Sequence, residues 1–572
     1  MSKPLPKPAD FPPPVAPDEF IAAPTAPEDE RLEVGTLFVG GGLAGLAGAI
    51  RLAQLIGDDA ELLERLGEVP IAVVDKGATL GAHQLSGAVV APGPLRELFP
   101  GTPLASMGGY QQPVTGEGVY LMTKRKALRL PTPPPFRNHG NHVFSLSQLT
   151  RWMSEQAEEL GVMLIPETAA DRLLVEGGTV KGVRTGDKGR GKEGEELGNF
   201  EDGAELHAQV TVLSEGTQGH LATAAIEHFD LEADPQVWAL GVKEVWKVAK
   251  PLDKIIHTLG WPLRTGAKFQ EFGGSFIYPM GRDHLCIGFV TGLDSRDAEY
   301  SVHDVLQEYK THPFVRKILK GGERVAWGAK TIPEGGWWSL PKRLAVPGAV
   351  IVGDSAGMVN VPKLKGVHLA MRSGMIAAEK IYARLKAGES LQDIALMEFD
   401  AAVRSSEIGA DLKRSRNMKQ PFRKGFFIGG ALVNMMEATG GRIPGSRWAN
   451  HRDSEQELFL GGRSKSYPQP DGKLTFDKLS SVFLSGNKTR DDQPDHIRVE
   501  KQLPRAVAVG YVSMCPAAVY ELPEGVSADG DPNEIVTMHV NPSNCVHCGA
   551  ITAKGGRLTP PEGGSGPEYT NM

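Results

Sequence analysis

Four cysteines in 572 residues are too few for a disulfide framework, and three of them, Cys515, Cys545 and Cys548, crowd the C-terminal end. That distribution points to a metal or cluster site in a reducing compartment. No apolar run reaches the ~20 residues that a membrane-spanning helix needs, so any membrane contact lies at the surface. Basic residues are not in excess: 62 Lys and Arg against 69 Asp and Glu give a formal net charge of -7. A nucleic-acid partner is therefore not expected, because neutralising phosphates takes clustered cations. The first thirty residues are rich in Pro and Ala and lack both the apolar stretch of a secretory signal and the Arg and Ser bias of a transit peptide. Their composition predicts a solvated tail over 1–30, and the chain length predicts two or three domains.

What is present begins with a short apolar strand, Thr36-Leu37-Phe38-Val39, running into Gly40-Gly41-Gly42-Leu43-Ala44-Gly45. This is G-x-G-x-x-G between a strand and a helical pattern. Gly40 permits the tight turn, Gly42 lets backbone approach a pyrophosphate, and Gly45 allows close helix–sheet packing. The helix N-terminus then faces the anion. A second strand ends at Asp75, where a carboxylate can accept from a ribose hydroxyl. Its separation from Gly45 exceeds the usual ~20 residues, and the stretch from Gly57 to Glu68 reads as the insertion responsible.

A second dinucleotide element lies far downstream. The strand Ala349-Val350-Ile351-Val352 ends in Gly353-Asp354, and a helix opening at Gly366-Val367 follows. This segment resembles the ribityl-binding element of flavoproteins of the glutathione-reductase and hydroxybenzoate-hydroxylase class. Resemblance to that class implies that Asp354 accepts from the ribityl chain and that the positive helix end stabilises reduced flavin. Between the two lies Val212-Leu213-Ser214-Glu215-Gly216, a strand entering a turn, which matches the third FAD element of that class. Three elements in this order predict FAD.

Cys545-Val546-His547-Cys548 is a C-x2-C pair, and Cys515-Pro516 stands thirty residues earlier. Cys-Pro is common at the outer ligand of ferredoxin-type clusters, which favours iron–sulfur over zinc. His547 reads as a neighbour of the ligands or a solvated residue, and Cys286 as a small buried apolar residue.

From about Leu32 onward the chain resembles the electron transfer flavoprotein–quinone oxidoreductases. The resemblance rests on Lys76-Gly77-Ala78, Gly81-Ala82-His83, Leu85-Ser86-Gly87-Ala88, Gly260-Trp261-Pro262-Leu263, Gly273-Gly274-Ser275-Phe276, Asn360-Val361-Pro362-Lys363 and Pro561-Glu562-Gly563-Gly564. It implies an α/β FAD-binding domain of Rossmann-like type over 31–235 and 336–400. An inserted quinone-binding β-sheet domain would occupy 236–335, a helical membrane-contacting segment 401–470, and an α+β ferredoxin-like cluster domain 471–572. By the same resemblance the cofactor contacts are Gly40, Gly42, Gly45, Asp75, Lys76, Gly87, Gly216, Gly353, Asp354, Gly366 and Val367. Gly273 and Gly274 would meet the quinone with bare backbone, and Cys515, Cys545 and Cys548 would hold iron. The implied partners are electron transfer flavoprotein, a membrane quinone and the bilayer surface, with the cytoplasmic face of a bacterial inner membrane as the address. One position departs from the family: the third cysteine of its C-x2-C-x2-C run falls at Ile551. A three-iron cluster, a four-iron cluster with a solvent or distant ligand, and no cluster all stay open, and a cluster is expected.

Lys413, Arg414, Arg416, Lys419, Arg423 and Lys424 precede the apolar run Phe426-Phe427-Ile428 to Met436, a pattern suited to an interfacial anchor. Arg151, His139 and Lys365 are candidate proton donors by residue type. The competing functions are an FAD-dependent reductase or monooxygenase acting on an organic or isoprenoid substrate, the dehydrogenase component of a bifurcating complex, and a non-catalytic adaptor.

Overall fold

The computed structural model describes residues 4–16, 18–392, 397–442 and 446–572. Residues 1–3 and 17 of the expected tail, 393–396 of the expected FAD domain and 443–445 of the expected membrane segment lie outside the described residues. Two sheets organise the rest. The first has nine strands, and its path runs Ile21–Ala22, Ala170–Glu176, Thr179–Thr185, Glu205–Leu213, Leu32–Val39, Ile71–Val74, Met163–Ile165. Leu32–Val39 is parallel to both Ile71–Val74 and Glu205–Leu213, and Ala349–Ile351 is parallel to the end of the latter. These strands are almost continuously apolar and buried, as parallel strands covered on both faces must be. Helices Leu43–Ile56 and Val367–Lys386 pack on each other over the sheet, sharing one core with it.

The stretch from Gly57 to Glu68, read as an insertion, carries its own helix, Ala60–Leu66, capped by the Asp59 side chain accepting from Leu62 N–H.

The second sheet has seven strands in the order Glu323–Pro333, Trp238–Lys247, His284–Gly292, Gly273–Met280, Ile255–Gly260, Glu117–Met122, Ala127–Leu130. The last two were expected in the FAD domain. Glu117–Met122 pairs in parallel with Ile255–Gly260 across more than a hundred residues, a partner that no local pattern announces. The C-terminal region, built from helices Arg505–Met514 and Ala550–Ala553 and three two-stranded pairings, shares a core with this sheet.

The solvated-tail expectation fails for the described part of 1–30. Ile21–Ala22 adds a parallel strand beside Leu173–Leu174, Phe20 is buried against the His220 ring, and Glu205 accepts from the N–H groups of Thr25 and Ala26. Averaging composition over thirty residues hid one short β-forming run, Phe20-Ile21. The expected helical character of 401–470 also stops early, because among the described residues the last α-helix there is Phe426–Ala438.

Candidate functional site

Four parallel strands end side by side at Val39, Val74, Leu213 and Ile351, and the turns after them close on one cavity of about 330 Å³. Ligands bind at this carboxyl edge in open α/β sheets, and the volume falls within the usual range of ligand sites. Of the residues expected at a cofactor, Gly40, Gly42, Asp75, Lys76, Gly87, Gly216, Asp354, Gly366 and Val367 line it. Gly45 and Gly353 do not. Gly45 lies beneath the turn, where a side chain would collide with the Gly40 carbonyl and the Ser214 hydroxyl. Gly353 has φ +63 and donates its N–H to Ser373.

The carboxylates differ in what holds them. Asp75 accepts from Gly41 N–H at 2.8 Å and Gly77 N–H at 2.7 Å, so it braces the glycine-rich turn as well as facing the cavity. Burial raises its pKa, and those two N–H groups pull it back. Glu215 is likewise raised by burial and restrained by the N–H groups of Leu221 and Ala222 at the start of helix His220–His228. The Asp354 carboxylate receives no hydrogen bond from the described residues; burial pushes it up to about 6, with Lys330 opposing. Its free acceptor faces the cavity beside the Gly366–Val367 helix start, as a contact to ligand hydroxyls requires.

Because its folded-state value exceeds the ordinary 3.8, Asp354 holds an extra proton in the folded chain between 3.8 and about 6. Stability of the flavin-free protein is therefore expected to fall as pH rises through that window. Asp354→Asn should flatten this slope, measured by urea unfolding at both ends of the window.

Sequence reasoning missed Lys243 and Lys330, which line the cavity together with Lys365, a candidate proton donor by residue type. Burial lowers all three, Lys330 and Lys365 to about 8. The Lys243 ammonium donates to the Ser86 carbonyl at 3.0 Å. Each sits where the strand or turn pattern predicts only a solvated charge. Arg151 serves the fold, donating to the Tyr569 carbonyl at 2.7 Å. His139 is not on the cavity wall.

The cysteine loop abuts the same cavity. Lys330 donates to the His547 carbonyl at 3.0 Å, and Thr331 N–H to the Cys548 carbonyl at 2.8 Å. His547 and Gly549 form part of the wall. His547 is buried, so the solvated reading of it fails. Behind this wall Cys515, Cys545 and Cys548 surround a void of about 20 Å³. Burial raises all three thiols, Cys548 to about 12, with the neighbouring thiols adding to the effect on Cys545 and Cys548. A metal or cluster held there would pair with the thiolates and offset the cost of burying their charge.

Gly273 and Gly274 are not on the cavity wall; Phe276 and Tyr278 of the same strand are. A side chain at Gly273 would strike the Val290 carbonyl and one at Gly274 the Thr258 carbonyl at 2.6 Å, so close strand packing accounts for both. Next to them the Phe272 ring meets Phe422 at 4.5 Å, and Phe426 N–H donates to the Thr265 carbonyl. The apolar helix Phe426–Ala438 thus lies beside the start of this strand, with Phe427 67% and Ile428 55% exposed. Lys419 does not belong to its basic rim: it is buried and paired with Asp294 at 3.0 Å. Among the described residues no helix is long and apolar enough to cross a membrane.

A cleft at the carboxyl edge of a parallel sheet, walled in part by the loop that carries Cys545 and Cys548, defines a redox protein of the FAD-dependent oxidoreductase class. The chain is 37% identical to the mitochondrial electron transfer flavoprotein-ubiquinone oxidoreductase of Caenorhabditis elegans, covering 94% of this chain and 91% of that one. It is 38% identical to that of Pseudomonas aeruginosa, covering 95% and 100%. It belongs to the electron transfer flavoprotein-ubiquinone oxidoreductase family. The family model "ETF-QO, ubiquinone-binding" matches residues 238–332, and "Electron transfer flavoprotein-ubiquinone oxidoreductase, 4Fe-4S" matches 472–570. A solved geranylgeranyl bacteriochlorophyll reductase-like protein from Thermoplasma acidophilum shares the fold, with a TM-score of 0.54 at 15% identity over 76% of this chain and 95% of that one.

Proposed function

We propose that this chain binds FAD and an iron–sulfur cluster and passes electrons from reduced electron transfer flavoprotein to ubiquinone. One observation carries the reading: the cavity at the strand ends is walled jointly by the glycine-rich turns, the second sheet and the cysteine loop. Bound FAD supplies a ring that exchanges electrons singly or in pairs. Gly40 and Gly42 bring bare backbone and the N-terminus of helix Leu43–Ile56 to the pyrophosphate. Asp75 receives the ribose hydroxyls, and Asp354 the ribityl chain. The Gly366–Val367 helix start sets a positive end at the ring, and Lys76, Gly87 and Gly216 complete the contacts. Phe276, Tyr278 and Lys243 come from the second sheet, within the region matched by the ubiquinone-binding family model, and form part of the cavity wall. A quinone held at Gly273–Gly274 would be reached from the apolar helix, beside Phe272 and Phe422.

The exposed Phe427 and Ile428, with Arg423 and Lys424 just before them, suit a helix lying in the lipid interface. The protein then sits as a monotopic enzyme on the cytoplasmic face of a bacterial inner membrane, where its quinone dissolves. Purified protein added to reduced electron transfer flavoprotein and a short-chain ubiquinone should restore the oxidised flavin spectrum without NAD(P)H. Activity that needs NAD(P)H and an organic substrate would instead establish a reductase or monooxygenase.

A further inference from the structure

The matched C-terminal family model is a 4Fe-4S domain, yet the chain has four cysteines in all and one cannot serve. Cys286 is fully buried in a separate core with Val245, Tyr278 and Met280. Three thiols remain, and the residues present fit three corners of a cubane-type cluster, not four.

At the position that the resemblance assigns to the fourth cysteine stands Ile551. Ile551 lines the same void as Cys515, Cys545 and Cys548 and is 5% exposed. The surrounding wall is apolar, with Val519, Val546 and Leu558, apart from the side chain of Tyr520. A fourth iron placed there would face a branched hydrocarbon. Solvent is a poor substitute, because a buried water needs two to four polar partners and about 10–15 Å³ of its own. Other donors lie nearby but gather elsewhere. The donor atoms of His496, Cys545 and His547 all lie within 4.8 Å of one another, a group that contains one of the three thiols. His547 meanwhile forms part of the flavin-cavity wall, which the void of the three thiols does not reach through it.

We infer that this chain holds a three-iron, four-sulfide cluster on Cys515, Cys545 and Cys548, with Ile551 packed against the vacant corner. Each iron then has three sulfides and one thiolate, and no ligand is missing. The inference rests on the cluster reading above and fixes which cluster it is.

Anaerobically purified holoprotein tests it by iron, acid-labile sulfide and flavin analysis together with electron paramagnetic resonance. Expected are roughly three irons and four sulfides per FAD, with a paramagnetic signal in the oxidised protein before any reductant is added. Ile551→Cys should raise the count to roughly four irons and abolish the oxidised signal, leaving one that appears only on reduction. His496→Ala should leave the wild-type signal and iron count unchanged. Four irons in the wild type, silent until reduced, would overturn the inference, as would loss of iron in His496→Ala. Zinc in place of iron, or full flavin with no iron, sinks the cluster while leaving the FAD and quinone assignments standing. Absence of flavin would instead remove the functional reading itself.

Discussion

The Gly42→Val protein is expected to fold and to purify without flavin. Gly42 has φ -81, a conformation open to any residue. A Cβ there would first meet the amide end of Gln84 at 2.8 Å, a flexible side chain that can swing away, with nothing of the backbone close behind. The new isopropyl group would then stand on the cavity wall, where the pyrophosphate must reach backbone N–H groups. Losing that approach removes several charge-assisted hydrogen bonds, each worth about 1.5–3 kcal/mol. FAD affinity should drop by at least ~100-fold, which two such bonds would more than account for. Gly45→Val should behave in the opposite way. Its side chain would collide with the Gly40 carbonyl and the Ser214 hydroxyl, parts of the fold and not of the cavity. It should cost about 1–3 kcal/mol of stability as overpacking does. Flavin titration of the apoproteins beside urea unfolding separates the two, and a flavin-saturated Gly42→Val protein would refute the cofactor assignment.

The contrast between those two glycines also shows what a sequence can and cannot declare. G-x-G-x-x-G between a strand and a helix, and a strand ending in Gly353-Asp354, are local signals, and both arrive at the expected cavity edge. The cysteine loop was legible for the same reason. Three things were not. Glu117–Met122 joins the second sheet through a parallel partner around residue 255, and pairing at that distance leaves no periodic trace beyond an apolar strand. Buried charges mislead because residue type reports solvation on average; Lys243, Lys330 and Lys419 look like surface cations, and each is enclosed. Gly273–Gly274 drew attention as a contact site by resemblance, whereas the strand packing of both residues is itself enough to demand glycine.

Another enclosed charge, Glu244, carries the second large effect. Its carboxylate is fully buried and accepts from Lys310 at 2.9 Å through both oxygens, from Trp246 Nε1 at 2.7 Å, and pairs with Arg324 at 3.4 Å. The two cations reach it from a helix and a strand, and Arg324 lies 3.6 Å above the Phe476 ring while donating to Ser481 at 2.7 Å. The node therefore fastens the second sheet to the start of the C-terminal region. Its members are not interchangeable. Burial alone would raise Glu244, yet Lys310 and Arg324 hold it lowered, whereas burial brings Lys310 down to about 8 despite Glu244. Glu244→Leu strands two cations in the interior and is expected to cost about 3–5 kcal/mol, the range for breaking a buried pair from one side. Lys310→Met leaves Glu244 with Arg324 and Trp246, so its cost should be clearly smaller. The double variant should recover part of the loss, because one stranded charge has gone. If urea unfolding gave equal costs for the two single variants, the node would not be centred on Glu244, and the attachment of the cysteine-bearing region would have to depend on apolar packing alone.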